Sequence, residues 1–237
     1  MMTAPIILVP GFWLGAWAWD EVAAGLRDRG HEVTALTLPG LDSVDADRSS
    51  ITASDHVEAI ADAVRSASQP VVLAVHSAAG FAGYAVTDRL PERIAAMVYV
   101  DSGAGKGAPD ADFDAVDMPL PSAEELAKSE NLDGLSEAQL QTLRERAVPE
   151  PGGVLREGIE LTNPARLDVP TTMICTGYSV EEYQDAVKQG YDFVAGVSEL
   201  RNVNWVELPT SHWPMWSRPE ELTDILADVA SAHATNE

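Results

Sequence analysis

The sequence predicts an α/β protein in which a mainly parallel sheet carries helices on both faces. Two features point there. Short apolar, β-branched runs alternate with segments of helical periodicity through most of the 237 residues, the rhythm of a parallel sheet built from crossover units. The runs are also short and apolar, and several are bounded by Gly or Pro, as strands buried on both faces usually are. With 46% hydrophobic and 22% charged residues the chain has an ordinary globular composition, enough to bury a core.

In chain order the strand candidates are Ile6–Val9, Glu32–Leu38, Val71–Val75, Ala95–Val100, Thr171–Thr176 and Asn204–Leu208. Between the second and third, Val57, Ile60, Ala61 and Val64 repeat at i, i+3, i+4 and i+7 and predict a helix with one apolar stripe, with Ser54 and Asp55 before it as caps. Near the C-terminus Leu222, Ile225, Leu226 and Val229 repeat the stripe. Ser217 and Glu220 stand there at capping-box spacing and Pro219 suits the first turn. Right-handed crossovers place the C-terminal ends of such strands on one rim, where open α/β sheets bind ligands. The rhythm breaks between Gly103 and Asp168, a stretch rich in Asp, Glu, Pro and Gly with helical patches at Ala123–Ser129 and Glu137–Arg146. A connection this long usually has a task. The expected organisation is therefore a core of residues 1–102 and 169–237 with a small helical cap, 103–168, over the rim.

Charge and cysteine content narrow the function. A formal net charge of −23 repels phosphate backbones and anionic lipid. Nucleic acid and membranes are thus not expected as partners, and polyanionic substrates are disfavoured. The lone Cys175 rules out an internal disulfide and suits a reducing compartment. Met1-Met2-Thr3-Ala4-Pro5 has no basic segment, and no run approaches the roughly 20 apolar residues of a membrane span. A cytoplasmic protein is expected, with a small-molecule substrate and a homodimer left open. No metal-ligand cluster, Gly-rich dinucleotide motif or phosphate loop is present, so no metal or cofactor is expected.

The chemistry concentrates in three places. Val71 to Val75 runs into His76-Ser77-Ala78-Ala79-Gly80, a buried strand entering small residues that open a helix. A serine there sits on a sharp strand-to-helix turn that lifts its hydroxyl above the sheet edge. Such turns want small residues two before and two after the serine. Ala79 fits and Val75 departs, with Gly80 and Gly83 available to relieve crowding where the helix meets the sheet. The Ala78 N–H, at a helix N-terminus, aims at the place where negative charge develops on an attacked carbonyl. A second such donor is expected from the loop after the first strand, Val9-Pro10-Gly11-Phe12-Trp13-Leu14-Gly15, with the Phe12 N–H as candidate. Among the histidines, His31 and His56 have connecting or surface-like contexts, His233 lies in the tail, and His76 should point away from Ser77 by strand alternation. His212 follows the last strand, on the expected rim and after the serine in the chain, and is the candidate general base.

The segments Pro10 to Trp19, His76-Ser77 and Ser211-His212-Trp213-Pro214-Met215-Trp216-Ser217-Arg218-Pro219-Glu220 together resemble the α/β-hydrolase superfamily, and within it the branch of hydroxynitrile lyases and plant methylesterases. The resemblance spans the core and weakens over 103–168. It implies the α/β-hydrolase fold, Ser77 as nucleophile, His212 as base, and backbone donors from Phe12 and Ala78. It also shows departures. The branch usually has histidine where Pro10 stands, and its lyases carry a threonine at Gly11 and a lysine at Trp213, so hydrolysis is favoured over cyanohydrin cleavage.

The family's carboxylate normally follows the strand here read as Thr171–Thr176, where Gly177-Tyr178-Ser179-Val180 has none. Asp101, at the end of Ala95–Val100, is the first candidate, because that strand reaches the same rim. Glu181 and Glu182 are the alternatives, and a Ser–His dyad without an acid remains open. Trp13, Trp213, Trp216 and Tyr178 are expected to line a pocket for a small, neutral, fairly apolar ester or lactone, while Trp17 and Trp19 are expected in the core. Two other readings stand beside the serine esterase: a lyase or C–C bond-cleaving enzyme on the same scaffold, and a binding protein that kept the fold without the chemistry.

Overall fold

The computed structural model of the chain describes residues 3–234. The strands are β1 (Ile6–Val9), β2 (Val33–Ala35), β3 (Val71–His76), β4 (Ile94–Val100), β5 (Asp117–Met118), β6 (Glu150–Pro151), β7 (Thr171–Cys175) and β8 (Val203–Glu207). The helices are α1 (Asp20–Asp28), α2 (Ala53–Ser66), α3 (Ala79–Arg89), α4 (Ala123–Ser129), α5 (Glu137–Arg146), α6 (Gly152–Arg156), α7 (Val180–Gln189), α8 (Pro214–Ser217) and α9 (Pro219–Ala232). Six strands form one sheet in the order β2-β1-β3-β4-β7-β8, and every neighbouring pair is parallel. This is the architecture expected from the alternating pattern.

Strand alternation decides which side each residue feeds. Ile7, Val9, Leu73 and Val75 join one core cluster, with Val57, Ile60 and Val64 of α2, Tyr84 and Val86 of α3 and Tyr183 of α7. Ile6, Leu8, Val72 and Ala74 join the other, with Val22 and Leu26 of α1 and Leu222 and Leu226 of α9. The period of two in the strands thus splits one continuous apolar run into two buried layers. The winding direction reverses between β1 and β3, because β2 lies outside β1 and the chain then returns to place β3 on β1's other edge. Crevices form at such switch points. The loops after β1 and β3, which hold Phe12 and Ser77, leave the sheet there.

Several boundaries differ from the sequence reading. The strand expected over Glu32–Leu38 is only Val33–Ala35. It is an edge strand; after Leu36 donates to the Leu8 carbonyl at 2.9 Å, the Thr37 hydroxyl turns to accept from the Ala16 N–H. The cap of α2 is Thr52 rather than Ser54: its side chain accepts from the Asp55 N–H while Asp55 closes a capping box. The capping box expected from Ser217 and Glu220 does not form. Arg218 occupies the cap position of α9 without a side-chain bond, and the Ser217 hydroxyl is engaged by Thr210, Ser211 and the Trp213 carbonyl.

Between β4 and β7 the chain leaves the sheet. α4 and α5 occupy the two helical patches read from the sequence, each opened by a capping box, Ser122–Glu125 and Ser136–Gln139. β5 and β6 pair antiparallel, and α6 follows directly.

Close approach of α3 to the sheet explains how the turn tolerates Val75. A Cβ added at Gly83 would lie 2.7 Å from both Val75 Cγ1 and Met97 Cε. The space that a smaller residue would leave in the strand is here left in the helix. Gly83→Ala is expected to lower stability by about 1–3 kcal/mol, the usual range for overpacking. Adding Val75→Ala should recover part of that loss, a positive coupling in a denaturant double-mutant cycle. Strictly additive losses would show that the two positions do not share this space.

Candidate active site

Ser77 follows β3 with φ 54°, and its N–H donates to the Val100 carbonyl at 3.2 Å. Left-handed backbone is costly for a residue with a side chain and persists where surrounding structure enforces it. Among the described residues the other non-glycine positions with positive φ are Trp13 (65°) and Asp101 (42°). All three stand where chain leaves the C-terminal end of a strand of the sheet. Ser102 donates from its hydroxyl to the Ser77 carbonyl and helps hold the turn. Gly11 lies against it, since a Cβ there would come 2.7 Å from Ser77 Cβ. In this backbone position 11 has no room for the threonine carried by the lyases that the sequence resembles.

His212 comes from the loop after β8. Its Nε2 accepts from Ser77 Oγ at 2.9 Å, and its Nδ1–H donates to Asp101 Oδ2 at 2.7 Å. The structure thus brings Ser77, His212 and Asp101 into one hydrogen-bonded chain. Asp101 is buried, and its other oxygen, Oδ1, accepts from the Thr176 N–H, the Gly177 N–H and the Tyr183 hydroxyl, each at 3.1 Å. Glu181 and Glu182, the alternative acids, are not part of this arrangement. Both are exposed on the first turn of α7, and the Glu182 carboxylate closes a capping box with Ser179.

Burial and bonding oppose each other at this pair. Burial favours the neutral acid at Asp101, yet the His212 hydrogen bond and charge, with the Thr176 and Gly177 N–H groups, hold its carboxyl below the usual range. Burial also favours neutral imidazole at His212, yet the bond to Asp101 and its charge, with that of Glu130, raise its pKa above the ordinary 6.5. Glu130 Oε2 stands 3.7 Å from His212 Nδ1, and burial pushes its own pKa upward.

The His212 loop is fastened from several sides. Its N–H donates to the Asn131 carbonyl at 2.8 Å, and its carbonyl accepts from His76 Nε2 at 2.7 Å. Thr176 Oγ1 donates to the Ser211 carbonyl at 3.0 Å, and Asn131 Nδ2 to the Thr210 carbonyl at 3.2 Å. Ser217 closes the loop through Thr210 and Ser211. Sequence reasoning missed these supports: only His76, beside Ser77, and Ser217, beside the His212 motif, carried a positional signal. His76 is buried, which depresses its pKa to about 3, and it serves as a neutral donor.

The Phe12 and Ala78 N–H groups have no acceptor in the protein among the described residues, and both residues line a narrow cavity of about 30 Å³. A second, open cleft of about 220 Å³ lies over Ser77 and His212, lined by Phe81, Glu130, Tyr178, Tyr183 and Phe193. Of the aromatics expected at the pocket, Tyr178 lines this cleft and the three tryptophans do not. Trp13 Nε1 donates to the Met118 carbonyl at 3.0 Å, which turns the ring toward β5. Trp213 is 1% exposed in the core, and its ring stacks on Trp216 at 6.2 Å. Trp213 caps α8 and Trp216 lies on it three residues later, and Trp216 also stacks on Trp17 and donates to the Ala18 carbonyl. His56, read as surface-like, is buried in α2 and bonds the Pro39 carbonyl at 2.9 Å; His31 is buried as well.

Among the described residues no group of His, Cys, Asp and Glu is placed to hold a metal ion, and no helix is long and apolar enough to cross a membrane.

The electrostatics give a direct check. In a histidine NMR titration His212 should titrate above 6.5. Asp101→Asn removes the charge that offsets burial and should move it downward, while Glu182→Gln should leave it in place. A His212 signal that ignores Asp101→Asn would contradict the geometry.

The comparisons with known proteins agree with this architecture. Residues 6–225 match the alpha/beta hydrolase family. Methylesterase 7 of Arabidopsis thaliana is 26% identical, over 96% of this chain and 96% of its own. Esterase PIR7B of Oryza sativa subsp. japonica is 34% identical over 45% of this chain and 43% of its own. Among solved structures, an extracellular alpha/beta-hydrolase from a Paenibacillus species, described as sharing structural and functional homology with tobacco salicylic acid binding protein 2, superposes with a TM-score of 0.75. It is 21% identical and covers 96% of this chain and 99% of its own. The chain belongs to the alpha/beta hydrolase family.

Proposed function

We propose that the protein is an esterase that cleaves a small, neutral, largely apolar carboxylic ester or lactone through an acyl-enzyme on Ser77. One observation carries the reading: the unbroken relay from Ser77 Oγ through His212 to Asp101, at 2.9 and 2.7 Å, next to two backbone N–H groups with no acceptor among the described residues. The named relatives, methylesterases and esterases, support ester bonds as the target.

The chemistry follows from these positions. His212 Nε2 takes the hydroxyl proton as Ser77 Oγ attacks the ester carbonyl carbon. The Phe12 and Ala78 N–H groups stabilise the oxyanion of the tetrahedral intermediate. Collapse breaks the bond to the alkoxy oxygen, which leaves with the proton held on His212. A water then gives its proton to His212 and attacks the acyl carbon, and collapse returns Ser77 and the acid. Asp101 holds the imidazole with Nδ1–H toward itself and stabilises the transient imidazolium. The aromatic cleft and the narrow cavity suit two short apolar arms on either side of the carbonyl, and the net charge of −23 disfavours anionic ones.

The two other readings lose ground. A binding protein without chemistry was suggested by the missing carboxylate after β7; Asp101 fills that role from β4. Within the lyase reading, cyanohydrin cleavage lacks the threonine and the lysine it calls for, at Gly11 and Trp213.

Turnover of p-nitrophenyl acetate should begin with a burst, and a fluorophosphonate should label the protein. Ser77→Ala should abolish both and lower kcat by about a thousandfold or more. Asp101→Asn should lower kcat by at least about a hundredfold, with Glu181→Gln near wild type. Labelling that survives Ser77→Ala would overturn the proposal.

A further inference from the structure

The lining of the narrow cavity beside the Phe12 and Ala78 N–H groups is apolar except for the half-buried Glu157 and one fully buried pair. Glu150 of β6 and His56 of α2 both line it. Glu150 is 1% exposed and His56 2%, on elements that are distant in sequence. A carboxyl and an imidazole in such a setting call for an explanation, because unmatched polar groups are costly to bury.

Their hydrogen bonds fix what each still offers. The Trp13 N–H donates to Glu150 Oε2 at 3.2 Å, and no described group bonds Oε1. His56 Nε2 faces the Pro39 carbonyl at 2.9 Å. A carbonyl only accepts, so Nε2 carries the proton and Nδ1 of the neutral ring is an acceptor. Nδ1 lies 3.9 Å from Glu150 Oε1, too far for a direct hydrogen bond. Burial pushes the Glu150 carboxyl up to about 8, against the pull of the Trp13 N–H and Arg48, and depresses His56 to about 4. At neutral pH the pair is thus a carboxylic acid and a neutral imidazole rather than an ion pair. Arg48 does not neutralise Glu150 by contact: its guanidinium bonds the Ser43, Val44 and Ala46 carbonyls and faces Asp117 at 3.8 Å.

An O–H donor and a bare imidazole nitrogen, 3.9 Å apart on one cavity wall, match a single hydroxyl. Its oxygen accepts from Glu150 Oε1–H, and its proton goes to His56 Nδ1. We propose that Glu150 and His56 form a hydroxyl-binding subsite, and that the preferred esters or lactones carry a hydroxyl on the arm that enters the narrow cavity. This deepens the esterase reading and rests on it for the identity of the carrier molecule. A largely apolar cavity whose buried donor and acceptor match one hydroxyl discriminates through it, since the analogue lacking it leaves both groups unpaired.

The test uses linear methyl esters of five to six carbons with a hydroxyl at C3, C4 or C5, beside their hydroxyl-free parents. Binding to Ser77→Ala is measured by calorimetry, and kcat/KM on the wild type. At least one hydroxy ester should exceed its parent by about tenfold in both measurements. Glu150→Gln keeps an acceptor for the Trp13 N–H and a donor toward the cavity, and should keep the preference. Glu150→Leu and His56→Leu should each erase it. Ratios between two esters on one protein cancel any loss of folded material. Hydroxy esters no better than their parents, or a preference untouched by both leucine variants, would overturn the subsite. Loss of the preference in Glu150→Gln would contradict the donor role given to Glu150. Turnover without preference removes the subsite alone, whereas preference in binding without turnover of any ester removes the esterase reading alone.

Discussion

The site depends on one buried carboxylate. Asp101 leaves β4 in a left-handed conformation and collects four donors: Thr176 N–H, Gly177 N–H, the Tyr183 hydroxyl and His212 Nδ1–H. Three of them saturate Oδ1 and leave Oδ2 for the imidazole. A buried charge that is fully hydrogen-bonded is tolerable, and one that is not is costly. The arrangement ties the end of β4 to the turn after β7, to α7 and to the loop after β8. The acid therefore fixes the mutual positions of the segments that carry the proposed chemistry.

The scaffold imposes where this happens. A parallel sheet delivers its loops to one rim, and the reversal of winding between β1 and β3 opens a crevice there. Trp13, Ser77 and Asp101 hold positive φ at that rim, so the backbone strain of the described non-glycine residues is concentrated at the site. Glycines take the close approaches that side chains would block. Gly11 lets the first loop lie against Ser77, and Gly83 makes room for Val75. The segment between β4 and β7 contributes Glu130 beside His212, Asn131 beneath its loop, and Glu150 against the Trp13 N–H.

Much of this could be read in the sequence because it depends on local pattern. Short apolar runs located β1, β3 and β4 to within a residue, the strand-to-helix turn singled out Ser77, and chain order with the rim position singled out His212. Asp101 could be proposed only from the strand that carries it, since its partners come from β7, α7 and the last loop. Trp13, Trp213 and Trp216 were misplaced for a related reason. Their position beside the motifs was visible, but the direction of their rings depends on the turn of residues 16–19, on α8 and on β5, which no local spacing encodes. His56 looked peripheral because the groups its ring faces, Pro39 and Glu150, lie outside its own helix. Ser217 looked like a helix cap because the spacing was right, yet the Thr210–Ser211 hydroxyls outcompeted the helix for it.

The central claim is that one serine, one histidine, one aspartate and two backbone N–H groups converge on a single carbonyl. A crystal structure of the protein carrying a phosphonate ester analogue tests it most directly. The account places phosphorus on Ser77 Oγ and a phosphoryl oxygen about 2.7–3.1 Å from both the Phe12 and Ala78 nitrogens, with His212 still bonded to Asp101. A phosphonate attached elsewhere, or one whose oxygen points away from those two nitrogens, would contradict it.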